Sequence, residues 1–238
     1  MSKYFYDLHI HSILSPCADE FMTPNNIVNM AKLKGLDIIA VTDHNSSKQI
    51  EVIVKLCNEM GLLCIPGVEV ESIEGVHLLC YFQNVERLGL MTQKIDEYLP
   101  NISNHETLFG FQVVMNEYDE VIEKVDKLLI QSTHLSIEEI ISLAHELDGV
   151  VFAAHVNKTS HNILVNLGFI PEGLQLDGVE LNHFIYTNQK EEIPDQINPF
   201  PILINSDAHS LGDINEAIYS IELPFKSAKH FIAVFKEE

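Results

Sequence analysis

Over its first seventy residues the chain alternates apolar runs with capped amphipathic segments, and this rhythm constrains the fold more than any other feature. YFYDLHI reads as a strand, after which Thr23 and Pro24 supply an N-cap and a first-turn proline for a helix through NNIVNMAKLK, closed by Gly35. LDIIAVT is a nearly continuous apolar strand, as expected when both faces are covered, and KQIEVIVKLCNEM is a helix closed by Gly61. With LLCIPGVEV as a third strand, the β-α-β-α-β start favours parallel strands wound around a barrel or into an open sheet. VHLLCYF is a fourth. The rhythm lapses over residues 84–135, read as an insertion or lid containing a hairpin at FQVVMNEYDEVIE. It resumes at Ser136, where S-I-E-E forms a capping box before a helix closed by Gly149. GVVFAAH, DGVELN and PILINSDAH are three further strands, and SAKHFIAVF is a last amphipathic segment. A chain of 238 residues suits one barrel domain spanning 1–238.

The polar residues gather at the C-terminal ends of these seven strands: His11, Asp43 and His44, Glu69, His77, His155, Asn182 and His183, Asp207 and His209. In parallel barrels that end is the functional rim. So many ionisable groups cannot all be core residues, since burying them unpartnered costs several kcal/mol each. His9 and His11 stand two apart, so a strand turns both to one face where they can reach one ion; Asp207 and His209 repeat the spacing. Imidazole and carboxylate donors without thiolate suit Zn²⁺, Mn²⁺ or Fe²⁺.

Composition narrows the partners. The 14 Lys+Arg against 35 Asp+Glu give a net charge of −21, which repels long nucleic acids and anionic membranes. Arg87 is the only arginine, so no Arg cluster exists for phosphate recognition. The sequence shows no apolar run approaching the roughly 18 residues of a membrane span and no signal-peptide pattern, and a soluble, cytoplasmic protein is expected. Cys17, Cys57, Cys64 and Cys80 form no C-x-x-C pair and are read as reduced thiols without chemistry, Cys17 included.

DLHIHS, TDHN, PGVEV, VHLLCYF, AAH and SDAH, in this order, resemble the motifs of the PHP (polymerase and histidinol phosphatase) phosphoesterases. The resemblance covers most of the chain outside residues 84–135. It implies an α/β fold, a distorted (β/α)7, TIM-like barrel, with two or three divalent ions (Zn, Mn or Fe) at the C-terminal ends of the strands. Carried over position by position, the ligands are His9, His11, Asp19, His44, Glu69, His77, His155, Asp207 and His209, Asp19 being placed by its offset before Pro24. Beside them, Asp7 and Asp43 are expected to orient imidazoles, and His183 to protonate a leaving group. Lys158, Ser12 and Asn45 are expected to contact phosphate, although Val156 stands where the family often has proline after the AAH histidine. The expected reaction is hydrolysis of a small phosphate ester, a nucleotide or phosphorylated metabolite, by a metal-bridging hydroxide. An exonuclease on short oligonucleotides, a metal-dependent amidohydrolase and a non-catalytic metal-binding domain are the alternatives. His105, His134, His145, His161 and His230 receive no role, and the oligomeric state is not legible.

Overall fold

The computed structural model describes residues 1–189 and 195–236. In chain order, β1 (Ser2–Ile10), α1 (Pro24–Leu33), β2 (Ile38–Val41), α2 (Ile50–Met60), β3 (Leu63–Cys64), β4 (Gly67–Glu71) and β5 (His77–Tyr81) lead into α3 (Val85–Tyr98), α4 (Glu106–Phe109) and the hairpin of β6 (Val113–Met115) and β7 (Val121–Lys124). There follow α5 (Ile137–Glu146), β8 (Val150–Ala153), α6 (Ile163–Leu167), β9 (Gly178–Asn182), α7 (His183–Gln189), β10 (Ile202–Asn205), β11 (Ser220–Leu223) and α8 (Ala228–Lys236).

The local signals act where the sequence puts them. The Thr23 side chain accepts from the Asn26 N–H ahead of Pro24, and Gly61 takes the left-handed conformation (φ 72°) that ends α2. Ser136 and Glu139 form the reciprocal capping box of α5. On α1 the buried face is Ile27, Val28 and Ala31, the spacing of one helical stripe against the sheet.

Two mixed sheets carry the fold, ordered β11-β1-β2-β3 and β10-β9-β8-β5-β4. They meet at isolated parallel bridges, Ile10 to Ala208 and His44 to Glu69, both at the polar end. The closed seven-stranded barrel is therefore not what is observed: the ladders are not continuous around a ring among the described residues. Two departures have local causes. Only residues 72–76 link β4 to β5, far fewer than the dozen or so a parallel crossover needs, so Gly75 turns the chain at φ 72° and β5 runs antiparallel. His77 is thus the first residue of β5, not its C-terminal end, and reaches the rim because its strand runs backwards. β3 and β4 are separate because Pro66 interrupts the run and has no N–H for a ladder. β11, which the sequence reading did not find, pairs antiparallel with β1.

Helices α1, α2 and α5 pack Ile27, Ile53, Leu56 and Ile140 against Val68, Val70, Val151 and Val179 of the strands. A second cluster joins Tyr6, Leu8, Ile38, Leu79, Tyr81 and Phe152 to Phe231 and Ile232 of α8. Gly178 is needed where β9 passes Phe152, since a Cβ there would press into the ring and lie 2.7 Å from the Pro201 carbonyl oxygen. Residues 84–135 are docked on the loop after β2. The Asn45 amide donates to the Leu129 and Gln131 carbonyls, and Gln49 exchanges two hydrogen bonds with the Met115 backbone.

Candidate metal centre

The rim is built by backbone bonds between strand ends. The Ala208 N–H donates to the His9 carbonyl and the His11 N–H to the Ala208 carbonyl, which sets β1 beside the loop carrying Asp207 and His209. The Asn45 N–H donates to the Glu69 carbonyl, placing His44 next to Glu69. Asn45, His155 and Asp207 take positive φ (52°, 30° and 54°), a conformation uncommon outside glycine that clusters at functional sites.

Four side chains converge most closely. His9 Nε2 lies 3.1 Å from His11 Nε2, 3.4 Å from Glu69 Oε1 and 3.3 Å from Asp207 Oδ1, while His11 Nε2 is 3.4 Å from Glu69 Oε2 and 3.3 Å from Asp207 Oδ1. Ligands about 2.1 Å from a tetrahedral ion stand about 3.4 Å apart, so these are the edge lengths of a coordination polyhedron. The tautomers agree. His9 Nδ1 faces both oxygens of Glu180 at 3.0 Å, and a carboxylate can only accept, so Nδ1 carries the proton. Ser15 Oγ donates to Asp43 and therefore accepts from His11 Nδ1 at 3.1 Å. Both Nε2 lone pairs are left pointing at each other, an arrangement that a shared cation or proton relieves.

A second group extends from Glu69. His77 Nδ1 is 2.8 Å and His155 Nε2 3.2 Å from Glu69 Oε1, and His44 Nδ1 is 3.1 Å from Glu69 Oε2. His44 Nδ1 and Glu69 Oε2, both buried, make no hydrogen bond despite that approach. Buried polar atoms are rarely left so, and a divalent ion among imidazoles and carboxylates satisfies them. On its far side His77 Nε2 lies 3.5 Å from Glu71 Oε2, and Glu71 also faces His161 Nδ1 at 3.4 Å.

The field at the rim favours positive charge. Burial alone would lower the pKa of His9, but Glu180, Asp207 and Glu69 outweigh it and hold His9 well above the usual imidazole value. Burial would likewise raise Glu69 and Asp207, yet the surrounding histidines, His77 first for Glu69 and His9 first for Asp207, keep both carboxyls well below theirs. For His44, with imidazole neighbours besides Glu69, burial prevails and its pKa falls well below normal. Carboxylates that draw protons onto neighbouring imidazoles draw a divalent ion in the same way.

The other expected residues are placed as follows. Asp43, whose pKa burial raises, accepts from the Ser12 N–H at 2.7 Å, Ser12 Oγ at 2.6 Å and Ser15 Oγ at 2.6 Å, and so orients His11 through Ser15. Asp7 touches no imidazole by hydrogen bond; its oxygens accept from the Ser206 and Asn215 N–H groups and fix the backbone leading to Asp207. Ser12 is buried with its hydroxyl committed to Asp43, and the Asn45 amide is committed to Leu129 and Gln131, so neither presents a side-chain donor to phosphate. Lys158 pairs with Asp207 Oδ2 and lines, with His11, His44, Glu69, His77 and His155, a small pocket at the rim. His183 is not among the residues lining that pocket; its Nδ1 meets the Tyr219 hydroxyl at 2.8 Å, and it lines a neighbouring cavity of about 310 Å³ that shares Asp207 with the pocket. Asp19 is exposed, accepts from the Phe21 N–H at 2.8 Å and joins none of the metal-spaced groups found among the described residues.

Three participants escaped the sequence reading. Glu180 is fully buried in β9, and a charged residue inside an apolar strand signals a partner that must be found. His161 stands at the mouth beside His77, ring centroids 4.9 Å apart. Cys17 offers its sulfur to a group with His11, His44 and His209, all within 4.8 Å of one another. The residue is exposed overall, but its thiol turns inward, where burial and the carboxylates of Glu69, Asp207 and Asp43 push its pKa up.

Comparison with known proteins agrees with this architecture. A protein from Methanocaldococcus jannaschii, itself uncharacterized, is 35% identical over 160 residues, 64% of this chain and 89% of that protein. Among solved structures, the lesion-specific endonuclease PfuEndoQ of Pyrococcus furiosus matches with a TM-score of 0.68 at 22% identity over 99% of this chain. The present chain spans only 56% of the length of that endonuclease. A Bifidobacterium adolescentis protein assigned as a metal-dependent phosphoesterase matches at a TM-score of 0.61 and 17% identity, covering 98% of this chain and 96% of its own. These structural likenesses are of fold. No helix among the described residues is long and apolar enough to cross a membrane. The PHP domain model matches residues 7–167, which include the quartet members His9, His11 and Glu69, and the chain belongs to the PHP domain family.

Proposed function

We propose that this chain hydrolyses phosphate esters of small molecules, a nucleotide or a phosphorylated metabolite. The observation that carries the reading is the quartet His9, His11, Glu69 and Asp207, in which the two Nε2 atoms stand 3.1 Å apart and each lies 3.3–3.4 Å from an oxygen of Glu69 and of Asp207. Divalent ions, when bound, supply Lewis acidity for phosphoryl oxygens and lower the pKa of a bound water to about 7. The protein's own groups set the stage. Glu180 and Ser15 keep the Nε2 lone pairs of His9 and His11 turned inward. Lys158, held above its usual pKa because Asp207 outweighs its burial, keeps a positive charge at the lip to meet phosphate. His161, exposed at the mouth, is better placed than His183 to protonate a leaving group.

The shape supports a small reacting group. The pocket among His11, His44, Glu69, His77, His155 and Lys158 is about 80 Å³, below the roughly 300 Å³ of ordinary ligand pockets, so ions and a phosphoryl group fill it and the remainder of the substrate lies outside. A larger cleft of about 590 Å³ begins at Asn45 and is bordered by Lys48, Lys124 and Lys127 with Asp96, Glu123 and Asp126. This cleft favours a second reading, exonuclease action on short oligonucleotides whose chain follows it.

One panel separates the readings. The purified protein, loaded with Zn²⁺, Mn²⁺ or Fe²⁺, is assayed on p-nitrophenyl phosphate, bis(p-nitrophenyl) phosphate, phosphorylated dinucleotides and simple amides, with chelator and His9→Ala as controls. Phosphate-ester turnover abolished by both controls supports the proposal. Turnover of amides alone, or none at full metal loading, refutes it. Steep weakening of oligonucleotide binding with salt marks several phosphate contacts and selects the nuclease reading.

A further inference from the structure

We infer that Cys17, rather than Asp19, supplies a thiolate ligand to a third cation position together with His44 and His209. This deepens the reading of the rim as a metal centre and rests on it. The Cys17 sulfur and one ring nitrogen from each of His11, His44 and His209 lie within 4.8 Å of one another, a group that could hold a metal ion. The imidazoles are already gathered, with ring centroids 4.6 Å apart for His11 and His44 and 4.5 Å for His11 and His209. Two of the rings are held in place there: His44 is 6% exposed with its Nδ1 lacking a hydrogen-bond partner 3.1 Å from Glu69 Oε2, and His209 Nδ1 faces the Asp207 carbonyl at 2.8 Å, which leaves His209 Nε2 for an ion.

The loop holding Cys17 is tied on both sides. The Ser15 N–H donates to the Ser12 carbonyl and the Ala18 N–H to the Ser15 carbonyl, while the Asp19 N–H donates to the carbonyl of His209, the very residue whose ring completes the group. Asp19 therefore contributes through its backbone. Its carboxylate faces solvent and accepts from Phe21 N–H, two residues along. The sequence favoured an all-imidazole-and-carboxylate centre; a sulfur ligand changes which ions this position takes. Thiolate with imidazoles selects Zn²⁺, Fe²⁺ or Co²⁺ and disfavours Mg²⁺ and Ca²⁺, so the centre becomes chemically unequal, with carboxylate-rich places at Glu69 and Asp207 and a softer one at Cys17. Coordination also requires the thiol to give up its proton to solvent as the ion enters.

The test is spectroscopic. The full chain is stripped with chelator and titrated with Co²⁺, reading visible d–d absorption for total loading and near-ultraviolet sulfur-to-cobalt charge-transfer absorption for a thiolate bond. The wild type and Asp19→Asn are expected to show both; Cys17→Ser is expected to keep d–d absorption while losing the charge-transfer band and one equivalent of tightly held cobalt. Charge-transfer absorption that persists in Cys17→Ser, or that is missing from wild type at full loading, overturns the assignment and leaves the metal-centre reading standing. No cobalt absorption of any kind in the wild type overturns both. Since a serine loop could shift, a second measurement uses the wild type alone at alkaline pH: Cys57, Cys64 and Cys80 are buried, so in the metal-free protein the first thiol to react with Ellman's reagent, slowly because its sulfur turns inward, is Cys17. Saturating Zn²⁺ is expected to suppress that reaction; an unchanged rate contradicts thiolate ligation.

Discussion

Glu180→Gln is the most informative single change, because it alters one charge and almost no volume. Glu180 is fully buried, and its two oxygens meet three donors: His9 Nδ1 at 3.0 Å from both, the Asn205 amide at 2.7 Å from Oε1, and the His155 N–H at 2.8 Å from Oε2. A glutamine must turn its NH₂ towards either Asn205 or His155, setting donor against donor, and one buried donor loses its partner at a cost of about 1–3 kcal/mol of stability. The variant also removes the carboxylate that fixes the His9 tautomer. Loss of such a partner behind a ligating histidine weakens metal binding about 10- to 100-fold, or about 1.4–2.7 kcal/mol. Competition titration against a chromophoric chelator measures the affinity, and denaturant unfolding of the metal-free forms measures the stability, with exposed Glu172→Gln as the control. Unchanged metal affinity in folded Glu180→Gln refutes the claim that Glu180 holds His9 for a cation.

Three further outcomes are expected. Asp43→Asn places an amide against Ser12 and Ser15, which frees the Ser15 hydroxyl to donate to His11 Nδ1 and turns an N–H inward at Nε2; metal affinity falls about tenfold or more, read by the same titration. His77 is pushed up to about 9, because Glu69 and Glu71 outweigh its burial. With the folded value raised above the unfolded one of about 6.5, protonated His77 stabilises the metal-free protein fully below about pH 6.5, and that contribution is lost as pH rises through about 9. An incoming ion displaces this proton, so calorimetric titrations near pH 7.5 in buffers of different ionisation enthalpy should show net proton release; identical heats in all buffers count against it. Gly178→Ala drives a Cβ into the Phe152 ring and the Pro201 carbonyl, and is expected to cost about 1–3 kcal/mol in denaturant unfolding; a neutral result shows that β9 and its neighbours shift freely.

Much of this was legible where a signal is local. The Thr23 cap, the Ser136–Glu139 box and the Gly61 terminus depend on neighbours within four residues, and β6 and β7 pair within the segment FQVVMNEYDEVIE where a hairpin was expected. The pairing of His9 with His11 follows from the two-residue repeat of a strand. Direction and closure were harder, because they depend on connection length and on distant edges. The five-residue link before His77 reverses β5, and the isolated bridges at Ile10 and His44 stand where the reading expected a continuous ring. Side-chain commitment was not legible either. Ser12 and Asn45 flank histidines as the expectation required, yet their donors are spent on Asp43 and on the insertion, and Glu180 holds His9 from a strand 171 residues away in sequence.

The central claim is that His9, His11, Glu69 and Asp207 hold one divalent cation between them. Anomalous diffraction from crystals of the protein grown with Zn²⁺ or Mn²⁺, recorded at the absorption edge of the ion, tests it directly. The account predicts a peak about 2.0–2.2 Å from His9 Nε2, His11 Nε2 and a carboxylate oxygen of each acid. Density for the four side chains in this arrangement with no anomalous peak among them contradicts it.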